Sequence, residues 1–523
     1  MFGIRTQSRM ERQARALVLF LVGLGTCWLL AVWIIGSKSS ALFLGGLGLL
    51  GAALALAILT DWRTGVYLLV AWLLFEDLAR KFLGNNLAVF FGKDVLAAVV
   101  YFSFAFHLRK TRHQSFRLPS FVPILLFFGL ALIQVFNTNS PSLIYGLLGL
   151  KLYFYYVPLA FLSYALIQSS RDLHRFLMFH MGLAGLIALL GVIQAIVGLD
   201  FLNPQVMAPE LEYLGRLTRY SPITGLAVAR PSSVFVSDAR FAMYMLVMWI
   251  LGQGAAAYLV QRRLPGQKLV FLSLGLIFTA IILSGSRGVF MYMLISSLVL
   301  GIAFVRSGLF RRTRTSRLLL AVQRGVVVAV IAGVLAGIVF PSAVGARLAF
   351  YYETLSPDSP ASELAWRGWY YPVQELRKAF SYPNWFTGYG TGTGSLGIQY
   401  VSRFLNVPLP EAGVENGIGT LLIEMGVLGP ILWLAWTIPL VISGLAVVRR
   451  LRKTHRFALG FALWWFVFFL LIPLTAGVLS AYQNYVNSAY VWLTVGVLFR
   501  LPELTDAETT GQEPTSGRWP DDR

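Results

Sequence analysis

The sequence predicts an all-α, polytopic integral membrane protein, and its composition and its long apolar runs carry this prediction. Hydrophobic residues make up 57% of the 523-residue chain, charged residues only 13%, and the mean hydropathy is +0.69. Polar groups cannot cover that much apolar side chain in water, so lipid must solvate part of it. The apolar runs are long and uninterrupted. A helix of about 20 apolar residues crosses a bilayer and satisfies its own backbone groups, so helices are expected.

About fourteen membrane spans can be placed along the chain. They lie near residues 16–36, 41–60, 65–75, 88–108, 119–136, 142–168, 176–198, 239–260, 269–284, 288–305, 318–340, 416–448, 457–477 and 486–499. The opening MFGIRTQSRMERQAR resembles the start of a signal peptide, but no small-residue cleavage site follows, so the first span is expected to be retained. Residues 1–500 are predicted to form one membrane domain, and the polar residues 501–523 a disordered cytoplasmic tail.

The distribution of basic residues predicts the orientation, because cytoplasmic loops keep Lys and Arg close to span ends. Besides the N-terminus, the basic segments are RKTRHQSFR (109–117), SRDLHR (170–175), QRRLPGQK (261–268), RSGLFRRTRTSR (306–317) and RRLRKTHR (449–456). Fourteen spans put all six segments on one side and both chain ends in the cytoplasm. The net charge of +20 is then explained by the basic cytoplasmic loops and does not indicate nucleic-acid binding.

Two long loops, 199–238 and 341–414, are left on the outer side. The second mixes aromatic residues with helix-compatible spacing between Ser362 and Phe380, so it is predicted to be partly helical and folded onto the outer face. Its aromatic residues fit either an interfacial belt or a lid on which sugar rings stack. The segment GYGTGTGS (388–395) lacks the Lys-Ser/Thr of a phosphate-binding loop and is interpreted as a flexible turn.

Three arginines fall at the outer ends of predicted spans or in outer loops. Arg230 precedes the eighth span, Arg287 lies in the tight hairpin SGSRG, and Arg367 lies in the second long loop. Each could snorkel to the membrane interface. Arg287 has the least freedom to do so, because the short hairpin holds it between two spans, where a guanidinium is costly unless it meets an anion. The planar guanidinium groups of two such arginines would match the oxygens of a diphosphate.

Glu415 and Asn416 begin the twelfth predicted span, directly after the second long loop. Side chains at this position can cap free helix N–H groups, and the helix dipole favours negative charge there. Glu424 falls deeper in the span and is either a functional carboxylate or a polar tether between helices. Nearby glycines would allow close helix packing; they are Gly417, Gly419, Gly426 and Gly429.

These segments, taken in order, resemble the O-antigen ligase and O-antigen polymerase superfamily of bacterial membrane glycosyltransferases. The matching motifs are RPSSVF around Arg230, SGSRGVF around Arg287, R-x-W with GYGTG downstream (Arg367, Trp369, Gly388 to Gly392), and Glu415-Asn416 followed after nine residues by Gly426-Val427-Leu428-Gly429. The resemblance covers roughly residues 140 to 450, including the large outer loop before the last motif. It implies a GT-C-like membrane fold.

The resemblance also implies an activity: transfer of a glycan from undecaprenyl diphosphate at the outer face of the bacterial cytoplasmic membrane. The implied site residues are Arg230 and Arg287 for the diphosphate, Arg367 and Trp369 for glycan or phosphate, and Glu415 with Asn416 for catalysis. No metal or other cofactor is implied. Glu415 stands where the ligases have histidine, and the five histidines of this chain all fall outside the predicted outer loops. A glutamate can act as the base, and its presence favours a polymerase over a ligase, which is kept as an alternative.

The implied partners are a lipid-linked glycan donor, a glycan or lipid-linked glycan acceptor, and the lipid bilayer. A chain-length regulator and a flippase are further candidate partners. A polysaccharide or lipid transporter is a rival class, since it would share the hydropathy and the basic loops. Such a transporter would not need a structured outer loop of about 70 residues.

A metal-dependent glycosyltransferase is the second rival class. It would need outer acidic residues, and Glu76, Asp77 and Asp94 are the candidates. Lysines and arginines flank all three, so neutralising ion pairs explain them better. The single cysteine, Cys27, excludes an intramolecular disulfide and a multi-cysteine metal site.

Overall fold

The computed structural model describes residues 51–83, 87–110, 116–203, 217–307, 341–364, 366–477 and 481–504. The predicted spans at 16–36 and 318–340, the first half of the span at 41–60, and the tail beyond residue 504 lie outside these residues. The chain forms two compact units, Met1–Ser115 and Phe116–Arg523. All the residues of the candidate site belong to the second unit.

The described part of the first unit consists of three helices. They are α1 (Gly51–Thr60), α2 (Trp62–Phe82) and α3 (Leu87–Lys110). Asp61 separates the first two and caps α2, because its carboxylate accepts the backbone N–H of Arg63 at 3.1 Å. The predicted span at 65–75 is therefore the middle of a longer helix.

Charged side chains buried in the first unit pair with one another. Lys93 Nζ lies 2.8 Å from Glu76 Oε1, and Arg80 Nη1 lies 3.1 Å from Asp77 Oδ1. All four residues are less than 5% exposed, so an unpaired charge among them would be strongly destabilising. The explanation of Glu76 and Asp77 as members of ion pairs is confirmed.

The described part of the second unit is a helical bundle with one small hairpin. Its α-helices are α4 (Phe121–Val135), α5 (Leu143–Phe154), α6 (Leu159–Leu166), α7 (Ser170–Val197), α8 (Asp238–Arg262), α9 (Gln267–Leu283), α10 (Arg287–Arg306), α11 (Pro341–Leu355), α12 (Tyr371–Ser381), α13 (Ile398–Leu405), α14 (Gly417–Met425), α15 (Leu428–Leu451), α16 (Phe457–Phe469, continued to Gly477 through a π-helical turn at Leu470–Leu474) and α17 (Tyr485–Arg500). A further π-helical turn covers Trp366–Tyr370, and Leu501–Leu504 form a 3₁₀ turn. Strands β1 (Thr218–Tyr220) and β2 (Ala227–Ala229) pair antiparallel.

Seven helices of the described residues are long and apolar enough to cross a membrane: α3, α5 together with α6, α7, α8, α10, α15 and α16. The prediction of a helical, polytopic membrane protein is therefore confirmed at this level, with the β1–β2 hairpin as an addition. The count of fourteen spans stays a prediction, because residues 1–50 and 308–340 lie outside the described part of the chain.

Two of the predicted spans are broken helices. The span at 142–168 divides into α5 and α6, and Pro158 at the break has no N–H to continue the helix. The span at 416–448 divides into α14 and α15 at Gly426, whose φ of 67° and ψ of −164° are accessible to glycine and not to other residues. Both breaks thus follow from the backbone chemistry of one residue.

Helix α17 lies at the centre of the second unit and is buried over nearly its whole length. Trp436 stacks on Trp492 of α17 with ring centroids 5.7 Å apart. Trp492 Nε1 donates to the hydroxyl of Tyr482 at 2.8 Å, and that hydroxyl donates to the carbonyl of Tyr153 at 2.7 Å. The polar atoms of Trp492 and Tyr482 are hydrogen-bonded, so the large apolar bodies of these two rings can fill the core.

Three of the six basic segments meet at one end of the bundle, which we call the basic end (residues 170–175, 261–268 and 449–456). His174 Nε2 lies 3.0 Å from the carbonyl oxygen of Pro265. Arg456 donates to the Ser170 hydroxyl at 3.4 Å and to the carbonyl of Leu504 at 2.8 Å. Leu504 is buried, so the first four residues of the predicted disordered tail, Leu501–Leu504, are ordered.

The opposite end of the bundle carries residues 218–237 and 341–414, and we call it the loop face. Helix α8 connects the two ends, because Asp238 contacts the loop-face residue Arg230 and Arg262 belongs to the basic end. The basic end is predicted to face the cytoplasm and the loop face the outside.

Cysteine labelling tests this orientation. With Cys27 replaced by serine, we expect a cysteine at the exposed position Pro357 to react with a membrane-impermeant maleimide on intact cells. A cysteine at the exposed position Lys453 of the basic end should react only after permeabilisation. Labelling of position 453 on intact cells would reverse the orientation and place the candidate site on the cytoplasmic side.

Candidate functional site

Two of the predicted arginines lie where α9 ends and α10 begins. Arg230 Nε donates to the carbonyl of Ser284 at 2.9 Å, and Arg230 Nη1 lies 2.6 Å from Asp238 Oδ2. Arg287 is the first residue of α10. Burial lowers the pKa of Arg230; Asp238 opposes this shift, and the positive charges of Arg219 and Arg287 add to it. The two predicted arginines therefore share one local electrostatic field.

A carboxylate joins Arg287 to the third predicted arginine. Glu363 Oε2 lies 2.8 Å from Arg287 Nη2 and 3.3 Å from Arg367 Nε. The side chains of Glu363 and Arg287 are 32% and 25% exposed, so a solute from the loop face can reach them. Trp369, on the same π-helical turn as Arg367, is 71% exposed. This exposure fits both an interfacial aromatic residue and a surface on which a sugar ring stacks.

Glu415 is held by the first turn of α12. The hydroxyl of Tyr371 donates to Glu415 Oε2, and the backbone N–H of Glu415 donates to Glu375 Oε2 at 2.7 Å. The guanidinium of Arg367 lies over the Tyr371 ring, 4.6 Å from its centroid. Burial raises the pKa of Tyr371 to about 12, and its hydrogen bond to Glu415 adds to the shift, so this phenol remains a hydrogen-bond donor at neutral pH.

The structure joins three of the predicted residues, Arg287, Arg367 and Glu415, in one series of contacts, while Arg230, Trp369 and Asn416 lie outside it. From Arg287 the series runs through Glu363, Arg367 and Tyr371 to Glu415, and each neighbouring pair is in contact. Chemically, the arrangement can hold a phosphate-containing group at one end and accept a proton at the other.

Asn416 has a structural role in this arrangement. Its Oδ1 accepts the N–H of Gly419 at 2.9 Å, and its Nδ2 donates to the carbonyls of Pro372 and Ala476. The residue is only 2% exposed. The helix cap is thus Asn416 and not Glu415, and the assignment of Asn416 to the catalytic pair stays a prediction. By fixing the start of α14, Asn416 positions the exposed Glu415.

The sequence reasoning missed Arg347 and Tyr351, which lie one helical turn apart on α11. Arg347 Nη2 donates to the carbonyl of Ala229 at 3.1 Å, and the Tyr351 hydroxyl donates to the carbonyl of Ile282 at 3.0 Å. The i,i+4 spacing of the two residues in ARLAFYYE places them on one helix face and could have signalled a common partner. The predicted loop assignment of residues 341–414 hid this pattern.

The glycine-rich segment 388–395 is packed tightly, so its interpretation as a flexible turn is wrong. Thr391 Oγ1 donates to the carbonyl of Ala131 at 2.7 Å, and Asn137 Nδ2 donates to the carbonyl of Gly388 at 3.0 Å. Thr391, Thr393 and Ser395 are at most 2% exposed. Such a segment anchors the long loop to the bundle.

Glu424 is one of the anchors of this segment. Its Oε1 accepts the hydroxyl of Ser395 at 2.7 Å and the N–H of Gly394 at 3.2 Å, and Gln483 Nε2 lies 3.5 Å from the same atom. The residue is fully buried. Of the two interpretations of Glu424, these contacts favour the tether, which joins α14 to the glycine-rich segment and to Gln483.

The fold and this surface define a polytopic helical membrane protein with a cluster of arginines and an exposed carboxylate on its loop face. Comparisons with protein-family models, with curated proteins and with solved structures find no match to this chain.

Proposed function

We propose that this protein polymerises undecaprenyl-diphosphate-linked oligosaccharide repeat units into an O-antigen or exopolysaccharide at the outer face of the bacterial cytoplasmic membrane. The observation that carries the proposal is the series of contacts from Arg287 through Glu363, Arg367 and Tyr371 to Glu415. It supports the resemblance to O-antigen polymerases and ligases, because residues of separate motifs, far apart in sequence, meet on one surface. A metal-independent glycosyl transfer is the chemistry that these residues suit best.

The proposed reaction is a displacement at the anomeric carbon of the donor. A hydroxyl of the acceptor sugar attacks this carbon, and Glu415 accepts the hydroxyl proton. The bond between the anomeric carbon and the diphosphate oxygen breaks, and its electron pair leaves with undecaprenyl diphosphate. Negative charge grows on the diphosphate in the transition state, where Arg230 and Arg287 stabilise it. The arginines thereby supply the charge neutralisation that a divalent ion supplies in other enzymes.

Glu363 has a defined part in this proposal. Its carboxylate lies between Arg287 and Arg367, where a phosphate oxygen of the donor would bind. Because Glu363 is part of the exposed loop surface, the donor can displace it without moving a membrane helix. Arg367 would then contact the donor through phosphate or the first sugar.

The proposal is tested by giving the purified protein a lipid-linked repeat unit and no other acceptor. A polymerase yields a ladder of products that differ by one repeat unit, because the lipid-linked unit also serves as acceptor. A ligase leaves the donor unchanged until a lipid A-core or another acceptor is added. A transporter forms no new glycosidic bond under either condition. Appearance of a single product only after acceptor addition would replace the polymerase with the ligase alternative.

A further inference from the structure

We propose that Arg347 is a third phosphate-binding residue, and that it makes the loop-face site prefer a diphosphate over a single phosphate. This inference rests on the proposed function and assigns a further residue to the same site. Arg347 Nη2 donates to the carbonyl of Ala229, the residue before Arg230, at 3.1 Å. Arg347 is only 8% exposed, so this contact holds its guanidinium beside the backbone that carries Arg230.

Tyr351 links Arg347 to the other two arginines. Its hydroxyl donates to the carbonyl of Ile282, and Arg230 Nε donates to the carbonyl of Ser284. Both carbonyls belong to the end of α9, so the two side chains converge on one helix terminus. Burial raises the pKa of Tyr351 to about 12 even though Arg230, Arg347 and Arg287 all act to lower it. One neutral phenol therefore lies within the electrostatic range of three guanidinium groups.

Apolar packing brings Arg287 into the same cluster. Its guanidinium lies 5.0 Å from the ring centroid of Phe350, which precedes Tyr351 on α11. Phe350 packs with Val228 and Ala346 in a small buried cluster beneath the arginines. Such an apolar floor excludes water from one side of the site, and the attraction between the guanidinium groups and an anion is stronger there than in bulk water.

Helix α11 is fixed before any ligand binds. Besides the bond from Arg347 to β2, Glu353 near its other end accepts the N–H of Ile223 at 2.8 Å and that of Thr224 at 3.2 Å. These contacts attach the helix to the hairpin at two points about one and a half turns apart. Arg347 is therefore preorganised, which is what a binding residue needs in order to contribute affinity.

The number of arginines matches a diphosphate better than a single phosphate. A guanidinium donates two parallel hydrogen bonds to a pair of phosphate oxygens. Three guanidinium groups donate six such hydrogen bonds, and a diphosphate spreads its acceptor oxygens over two phosphorus centres, so it can meet three separated groups across a wider span than one phosphate can. Arg347 lies deeper than Arg230 and Arg287, so it is the residue that would reach the second phosphate group.

The test uses the full-length protein in detergent and measures the affinities for inorganic pyrophosphate and inorganic phosphate by calorimetry. We expect wild-type protein to bind pyrophosphate at least about tenfold more tightly than phosphate. Arg347→Lys keeps the positive charge but loses the two parallel hydrogen-bond donors of the guanidinium group. It should therefore remove most of the preference for pyrophosphate and change phosphate binding little. The matched control is Arg306→Lys at the opposite end of α10, whose exposed side chain should leave the preference unchanged.

Tyr351→Phe provides a second variant in case Arg347→Lys fails to fold, because it removes only one hydroxyl from the same cluster. A weakened preference in folded Arg347→Lys supports the proposal, and Tyr351→Phe decides in the same way if Arg347→Lys does not fold. An unchanged preference in the deciding variant, or equal affinities in the wild type, overturns it. The repeat-unit assay separates this result from the proposed function: a polymer ladder with an unchanged preference in Arg347→Lys refutes only the role of Arg347. No ladder together with a preference lost in Arg347→Lys refutes only the polymerase.

Discussion

Glu415→Gln is expected to lower the turnover of lipid-linked repeat units by about 10²–10⁴-fold, with donor binding nearly unchanged. Glutamine keeps the size of the side chain and can still accept the hydrogen bond from Tyr371, but it cannot take the proton of the acceptor hydroxyl. Folding should be little affected, because Asn416 and not Glu415 caps α14. Steady-state rates and donor affinity, measured on the same purified variant, separate these two effects.

The matched control is Glu411→Gln, the same substitution four residues earlier at an exposed position. It should leave the turnover within twofold of the wild type, since surface substitutions change stability by only about 0.5 kcal/mol. A well-folded Glu415→Gln protein with the same turnover as Glu411→Gln would remove the catalytic role of Glu415. The arginine cluster would then be the only supported part of the site.

Gly392→Ala is expected to destabilise the protein by about 2–4 kcal/mol, which combines the cost of a side chain at positive φ with that of an overfilled core. Gly392 has a φ of 85°, and a Cβ added there would overlap the carbonyl oxygen of Tyr145 on α5. Neither group can move easily, because the glycine-rich segment is buried and hydrogen-bonded and Tyr145 is itself fully buried. The yield of monodisperse protein and its thermal unfolding midpoint measure this effect.

Gly397→Ala separates the cost of a side chain at positive φ from the cost of steric overlap. Gly397 has nearly the same φ, 89°, but a Cβ added there meets nothing within 4 Å. The variant should therefore lose only about 1 kcal/mol, the cost of the backbone conformation alone. Equal unfolding midpoints for the two variants would show that the segment 388–395 yields to the added methyl group and is as flexible as its composition suggested.

The class of protein could be predicted from the sequence because it depends on composition and on one-dimensional periodicity. Apolar runs of span length specify helices in lipid whatever their neighbours are. Breaks at Pro158 and Gly426 could also have been found, since each follows from the backbone of a single residue. Arg230, Arg287 and Glu415 were predicted from their positions at span ends. The structure places Arg287 and Glu415 in one series of contacts and Arg230 at the end of α9, and their common function stays a prediction.

The tertiary structure alone decided which residues meet there. The sequence separates Arg347 from Ala229 by more than a hundred residues, and no pattern relates Glu363 to Arg287 and Arg367 at the same time. Both facts depend on how α11 and the following loop pack against the helix ends. The same reason explains the error over residues 388–395: glycines permit flexibility, but neighbouring carbonyls and Glu424 can fill the space around them. Local composition determines which backbone conformations are accessible, and packing selects one of them.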